Sequence, residues 1–338
     1  MTITFNTKGY DGFIDFIKAY AILCVLFGHT FLWLGQVGYT IWAGGQVPLF
    51  ILIQVFHHYK KGNPSVDFKK VFRRVMGPFI LLELITFCVG LMVGKGDVNE
   101  LLLKMWKSGG YGPGSYFPWI YLQVALLLPI VGGGFCRLGK IGSLVFFLII
   151  SEGFEILFSI TDFPDWAYRL LAVRYLFLFY LGYLWVKDGI RINRWTVLLS
   201  VISLIALVYF EYFSVNDEPW FYCTKQLTHR WPCYFYRAFG FTAVIYLVYR
   251  RICNNKVIMR CVKALATSSY EIFLLQMSLI WLFHFTDITW LQNNMMKYFV
   301  WLVIVWMVSI AGGIMLNTVL NRSLLTQRQN ESVGTDKK

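Results

Sequence analysis

Charge is what this chain has least of. Only 14% of its 338 residues are Asp, Glu, Lys or Arg, where soluble domains carry about a quarter, so most of its surface is not built to face water. Acidic residues are the scarcer sign, 18 against 31 basic, which leaves a net charge of +13. None of the seven cysteines form a Cys-x-x-Cys pair, which removes the common zinc and dithiol motifs. The glycine-rich stretch Gly109–Gly114 is not followed by Gly-Lys-Ser/Thr, so it is not a phosphate-binding P-loop. No small-x-small cleavage site follows the first apolar run, and residues 1–12 are polar; a retained first helix is expected rather than a cleaved signal. No internal repeat is visible. His57 and His58 are adjacent and point about 100° apart on a helix, a poor chelate, so no metal site is expected.

What the chain has instead is apolar length. It is 57% hydrophobic and 19% aromatic, with mean hydropathy +0.57. Continuous apolar runs of about 20 residues suit helices crossing a bilayer, and the lack of alternation argues against a β-barrel. Ten spans are predicted, near residues 12–34, 38–57, 75–94, 116–135, 141–159, 170–186, 195–213, 234–250, 264–284 and 298–320. The expected fold is all-α, a polytopic membrane helical bundle forming one domain over 1–320, with a polar tail at 321–338 that lacks regular structure.

Lysine and arginine set the orientation. Lys60, Lys61, Lys69, Lys70, Arg73 and Arg74 follow the second span, and Arg137 and Lys140 the fourth. Lys187, Arg191 and Arg194 follow the sixth; Arg250, Arg251, Lys256, Arg260 and Lys263 the eighth. The alternate loops are poorer in both residues. Both termini are therefore expected in the cytoplasm, and the positive charge is explained by topology rather than by nucleic acid. Cys223 and Cys233 share an outer loop and are candidates for a disulfide.

The first span, IDFIKAYAILCVLFGHTF, carries Lys18 and His29 eleven positions apart. That separation leaves them roughly 20° apart around the axis and about 16 Å along it, with Asp15 on the same stripe. An ionisable group inside a span is a functional candidate by default, although Lys18 also fits a snorkelling lysine and His29 an interhelical hydrogen bond. Lys70, Arg73 and Arg74, in the densest basic segment, suit either topology or a phosphate. Glu83 lies deep in the third span and is costly there unless paired or protonated. The segment GGYGPGSYF, with Tyr116 at its end, suits a sugar face or a plain surface loop. Glu152 and Glu155 share one helix face near the outer surface and are read as rim charges. Arg174 lies about one turn inside the outer boundary.

Asp15-x-x-Lys18 followed by Gly28-His29 resembles the opening of the membrane-bound acyltransferase family 3, O-acyltransferases of surface polysaccharides, with Lys18 where the family more often has arginine. Further similar segments are VPLFILIQ in the second span, the basic run before Pro78, FLFYLGYLW in the sixth span, and SSYEIFLLQ in the ninth, where Gln276 stands at the family's histidine. The resemblance implies an acyl-CoA donor, usually acetyl-CoA and used as substrate with no bound cofactor. It implies a saccharide hydroxyl as acceptor at the outer face of the cell inner (cytoplasmic) membrane. His29 is then the expected base, with Asp15 and Lys18 beside it; Lys70, Arg73 and Arg74 are expected to hold the donor's phosphates; Glu83, Tyr116, Arg174 and Gln276 are expected at the acceptor. A transporter or flippase for a lipid-linked saccharide also suits ten helices with buried charges, and a non-catalytic sensor or scaffold remains a third class.

Overall fold

The computed structural model describes residues 2–3, 11–30, 46–62, 64–161, 163–216, 234–282 and 295–335. Cys223 and Cys233 lie outside them. Every expected span is mostly helical where it is described, with residues such as Val93–Gly94 and Leu170–Leu171 outside the helices. α1 is Gly12–Thr30, α2 Gln46–Lys60, α3 Gly77–Met92, α4 Val98–Ser108 and α5 Phe117–Ile160; α6 is Asp165–Arg169 and α7 Leu176–Asp188. α8 is Arg194–Asn216, α9 Thr242–Ile252, α10 Lys256–Thr267, α11 Ser269–Leu282 and α12 Met295–Thr335.

Among the described residues five helices are long and apolar enough to cross a membrane alone, and a sixth span arises if the α10–α11 pair, bent by 65°, counts as one. This is fewer than ten because several runs are broken or short: α7 has only 13 residues, entered through a 3-10 turn at Ala172–Tyr175. Conversely, the fourth and fifth runs are joined in α5, broken only at Gly139, where φ is 64°. The all-α bundle is as expected, with one two-residue pairing beside it, Thr2–Ile3 (β1) antiparallel to Ile190–Arg191 (β2). One expectation needs correction. The polar tail is not irregular, because α12 continues to Thr335.

Many large apolar side chains of α3, α5, α8 and α12 point outward, among them Ile149, Ile205, Phe299 and Met307, as lipid-facing helices require. The interior is aromatic. Phe56, Phe135, Phe177, Phe179 and Trp185 are fully buried, and the Phe135 and Tyr183 rings stack at 4.4 Å.

Contacts sort the loops to two ends. At one, β1 pairs with β2 and Lys140 Nζ binds Asp188 at 2.7 Å, joining the N-terminus, the α5 bend and the α7–α8 turn. At the other, Trp119 Nε1 donates to Gly109 O and Gln123 Nε2 to Leu170 O, both at 2.6 Å, joining the α4–α5 loop to the α6–α7 turn.

Three local features set the site. Pro78 lacks an N–H and its ring crowds the preceding carbonyls. The turn before it, Phe72–Met76, widens to a π-helix in which Gly77 N–H reaches Phe72 O, five residues back. That turn carries Arg73 and Arg74, and Tyr270 Oη of α11 donates to Val75 O within it at 2.8 Å. Second, α12 crosses α11 at Gly313, where a Cβ would lie 2.7 Å from both N and Cα of Ile272; only glycine admits that approach. Third, α12 grips the end of α1. Trp306 Nε1 donates to Thr30 Oγ1 at 3.1 Å, and Tyr298 Oη donates to Thr30 O. His29 is thereby held one residue from a fixed point.

Candidate functional site

A cavity of about 510 Å³ opens between α1, α2, the π turn, α5, the end of α10, α11 and α12. One part of its wall is basic, with Lys18, His57, Arg73 and Arg74. Another is apolar, with Val25, Val47, Phe50, Phe117 and Phe273. The Phe117 ring meets Phe273 edge-on at 5.6 Å and tilts against Phe50 at 6.0 Å. His29 lies one turn beyond Val25 on α1, about 6 Å along the axis. Gln276 lies one turn beyond Phe273 on α11. Gln276 Nε2 and His29 Nδ1 are 2.8 Å apart, and Gln276 is fully buried. The cavity wall is thus amphipathic, and the histidine–glutamine pair, itself not on that wall, lies one helical turn past its apolar residues Val25 and Phe273.

The pair has a definite chemical question. A neutral imidazole carries hydrogen on one ring nitrogen. With the amide nitrogen donating, Nδ1 is the acceptor and Nε2 holds the hydrogen. In that orientation Gln276 Oε1 is buried with no hydrogen-bond partner, a costly arrangement. Turning the amide by 180° places Oε1 on Nδ1–H and leaves Nε2 with its lone pair free.

The glycine-rich stretch is built into the protein rather than lying on its surface. Tyr111 is fully buried, its ring 4.6 Å from that of Trp281, so it is not a free platform for a sugar. Its backbone N–H donates to Glu83 at 2.8 Å, and its hydroxyl to Leu101 O at 2.9 Å. Gly112 has φ +89°, and a Cβ there would stand 2.2 Å from Met277 O. A methyl on Gly114 would stand 3.7 Å from His29 Cε1. The stretch therefore packs over α11 and alongside His29.

The structure brings together part of the expected set. Lys18, Arg73 and Arg74 share the cavity; His29 and Gln276 are bonded; Asp15 stands near enough to Lys18 to act on its charge. Lys70 is exposed and absent from the cavity wall, its backbone N–H capped by Asp67 at 3.0 Å. Glu83 is occupied in holding the backbone of Tyr111, not displayed towards the cavity. Glu155 is no rim charge. It is buried, and Tyr168 Oη donates to it at 2.6 Å; burial and the adjoining carboxylate push that phenol's pKa upward. Arg174 and Tyr116 come together in a second cluster, with Tyr168, Tyr175 and Tyr234.

The cavity wall also holds His57, weighed in the sequence only as a poor chelate, and Gln54, Tyr121, Tyr270, Glu271 and Asn317, none of them a candidate there. Gln54 and His57 are spaced i, i+3, which was legible as one helix face. That this face meets Lys18 was not.

Against known proteins, a family model described as an acyltransferase domain matches residues 11–318. No curated protein and no solved structure matches.

Proposed function

The chain belongs to the acyltransferase 3 family, and on that premise we propose that it moves an acyl group, acetyl in the simplest case, from acyl-CoA to a hydroxyl of a cell-surface or lipid-linked saccharide, with His29 as general base. The observation that carries this is the cavity with Lys18, Arg73 and Arg74 at one part and the His29–Gln276 pair one turn past its apolar wall. Acyl-CoA has the matching polarity, with phosphates at one end and a thioester at the other. Arginine forks suit the phosphates, and Lys18 and His57 add donors beside them.

The step is a direct displacement. The acceptor hydroxyl gives its proton to His29 Nε2 as its oxygen attacks the thioester carbonyl. The tetrahedral intermediate then breaks its C–S bond, and the proton passes to the departing thiolate. For this, Nε2 must hold the free lone pair, so the working orientation of Gln276 is the one with Oε1 on Nδ1–H. Asp15 supports the Lys18 charge from the next turn, and Glu83 holds the glycine-rich stretch that walls the pair.

The orientation follows from loop charge. Basic loops place the Lys18 end at the cytoplasm, where acyl-CoA is, and the His29 end outward, where the acceptor is. The grouping of loops at two ends supports that alternation. The membrane is then the cell inner (cytoplasmic) membrane.

The test is transfer of radiolabelled acetyl from acetyl-CoA by purified protein in vesicles, with a panel of surface glycans, wild type beside His29→Ala at equal folded yield. Loss of about 10²–10⁴-fold is expected for a general base. Equal transfer by both removes His29 from the mechanism. Movement of a glycolipid across the membrane without label transfer favours the flippase, a reading to which the 65° break between α10 and α11 lends some support.

A further inference from the structure

Arg174 is set in the 3-10 turn Ala172–Tyr175 and is half-buried. Its Cζ lies 5.4 Å from the ring centroids of both Tyr168 and Tyr175. Tyr116 and Tyr234 are within electrostatic reach. Tyr234 Oη donates to the backbone carbonyl of Arg174 at 3.1 Å, which fixes the turn and not the guanidinium. Among the described residues no carboxylate is ion-paired with that guanidinium, and no oxygen accepts from it. Glu155, in the same cluster, takes the Tyr168 hydroxyl with its Oε1.

We propose that Arg174 and its tyrosines form a subsite for an oxyanion, a carboxylate or a phosphate, carried by the acceptor. This rests on the acyl-transfer reading and adds the acceptor's chemical class. An intramembrane cation surrounded by rings is unfavourable without a counter-charge, and ring faces return only part of what water gave it. Five planar N–H donors with no oxygen partner among the described residues match an oxyanion held by two parallel hydrogen bonds. A neutral sugar would leave the charge uncompensated. The Tyr168 and Tyr234 hydroxyls are already committed, to Glu155 and to the Arg174 carbonyl, so the half-buried Tyr116 is the phenol of the cluster that can add a donor.

The subsite lies beside the base. Tyr116 is two residues from Gly114, and Gly114 abuts His29. The same short segment thus touches both the Arg174 cluster and the histidine. An acceptor anchored at Arg174 by its anion presents neighbouring hydroxyls along that segment towards His29. Acceptors lacking the anion lose registration, which appears in their KM, while the donor cavity is untouched because Arg174 is not on its wall.

The test uses full-length protein in vesicles, wild type with Arg174→Gln and Arg174→Lys, and labelled acetyl-CoA. Two matched acceptor pairs are offered: a glucuronate-containing tetrasaccharide and its carboxyl-reduced form, and a phosphorylated tetrasaccharide and its dephosphorylated form. Wild type is expected to prefer the anionic member of one pair at least tenfold in kcat/KM, and which pair responds tells carboxylate from phosphate. Arg174→Gln should abolish the preference while leaving the KM for acetyl-CoA and the acceptor-independent hydrolysis of acetyl-CoA unchanged; Arg174→Lys should restore part of it. Equal use of charged and neutral members by wild type overturns the proposal. So does Arg174→Gln lowering both members alike with the preference kept, which is how a purely structural arginine behaves. Equilibrium dialysis of the same four saccharides reads the subsite without turnover. If no acetyl is transferred or hydrolysed, the acyl-transfer reading fails, and a binding preference lost in Arg174→Gln still supports the subsite, whereas equal binding of all four overturns it.

Discussion

Replacing Gln276 by leucine separates what the His29–Gln276 contact does for folding from what it does for chemistry. Leucine has similar bulk and no polar atom. His29 Nδ1 then loses its only hydrogen-bond partner among the described residues, 2.8 Å away, and an unsatisfied buried group costs about 1–3 kcal/mol. The same change removes the amide atom that faces away from His29, at the position where Oε1 as placed has no hydrogen-bond partner, a liability of similar size. The two nearly cancel, so thermal stability in detergent should change by no more than about 1 kcal/mol. Turnover should not cancel. The loss of tautomer selection alone is worth only about twofold, but an imidazole free to rotate is no longer aimed, and a misplacement of about 1 Å costs on the order of 10²-fold. At ~1.4 kcal/mol per decade this is a barrier increase of about 2.7 kcal/mol. Gln276→Glu provides the sign. An ionised glutamate only accepts, so it holds Nδ1–H and leaves Nε2 basic; transfer within about tenfold of wild type is expected. The assay is single-turnover acetyl transfer at matched folded fraction. Wild-type turnover by the leucine variant would refute the positioning argument. A glutamate variant worse than leucine would show that Gln276 acts as donor to Nδ1, and His29 could not then be the base.

Two further predictions test the surroundings. Lys18→Met and Arg73→Gln should each raise the KM for acetyl-CoA about 10–100-fold, the loss of a hydrogen bond to a charged group, whereas Lys70→Gln should not, being exposed and off the cavity wall. Gly112→Ala should reduce both yield and turnover, because φ +89° costs a side chain about 1–2 kcal/mol and its Cβ would collide with Met277 O; Gly133→Ala, with nothing within 4 Å of its Cβ, should be silent in the same thermal-shift and transfer assays.

Much of the architecture was legible because the forces that set it are local. A run of 20 apolar residues is helical in lipid whatever its neighbours, since its backbone has no other partner there. The Gly139 break and the Pro78 disturbance follow from the backbone limits of single residues. The helix count was less legible. Whether the runs around Ala172–Asp188 and Lys256–Leu282 are whole spans or broken ones depends on the packing of their neighbours, not on hydropathy.

The side chains divide along the same line. The sequence by itself put Lys18 and His29 on one stripe of α1, because a helix has a fixed period, and it put Arg73 and Arg74 in a basic entry to the third span. Only the tertiary structure decided which groups meet them. Gln276 reaches His29 across 247 residues; His57 joins Lys18 at the cavity wall, and Lys70 does not. Glu83, expected at the acceptor, and Glu155, read from the sequence as a rim charge, are taken up by a backbone N–H and a tyrosine hydroxyl. The physical reason is that a buried polar group must find a partner. Periodicity gives the direction in which it looks, but the partner comes from another helix, brought within hydrogen-bond distance by contacts such as Gly313 against Ile272 that no local pattern specifies.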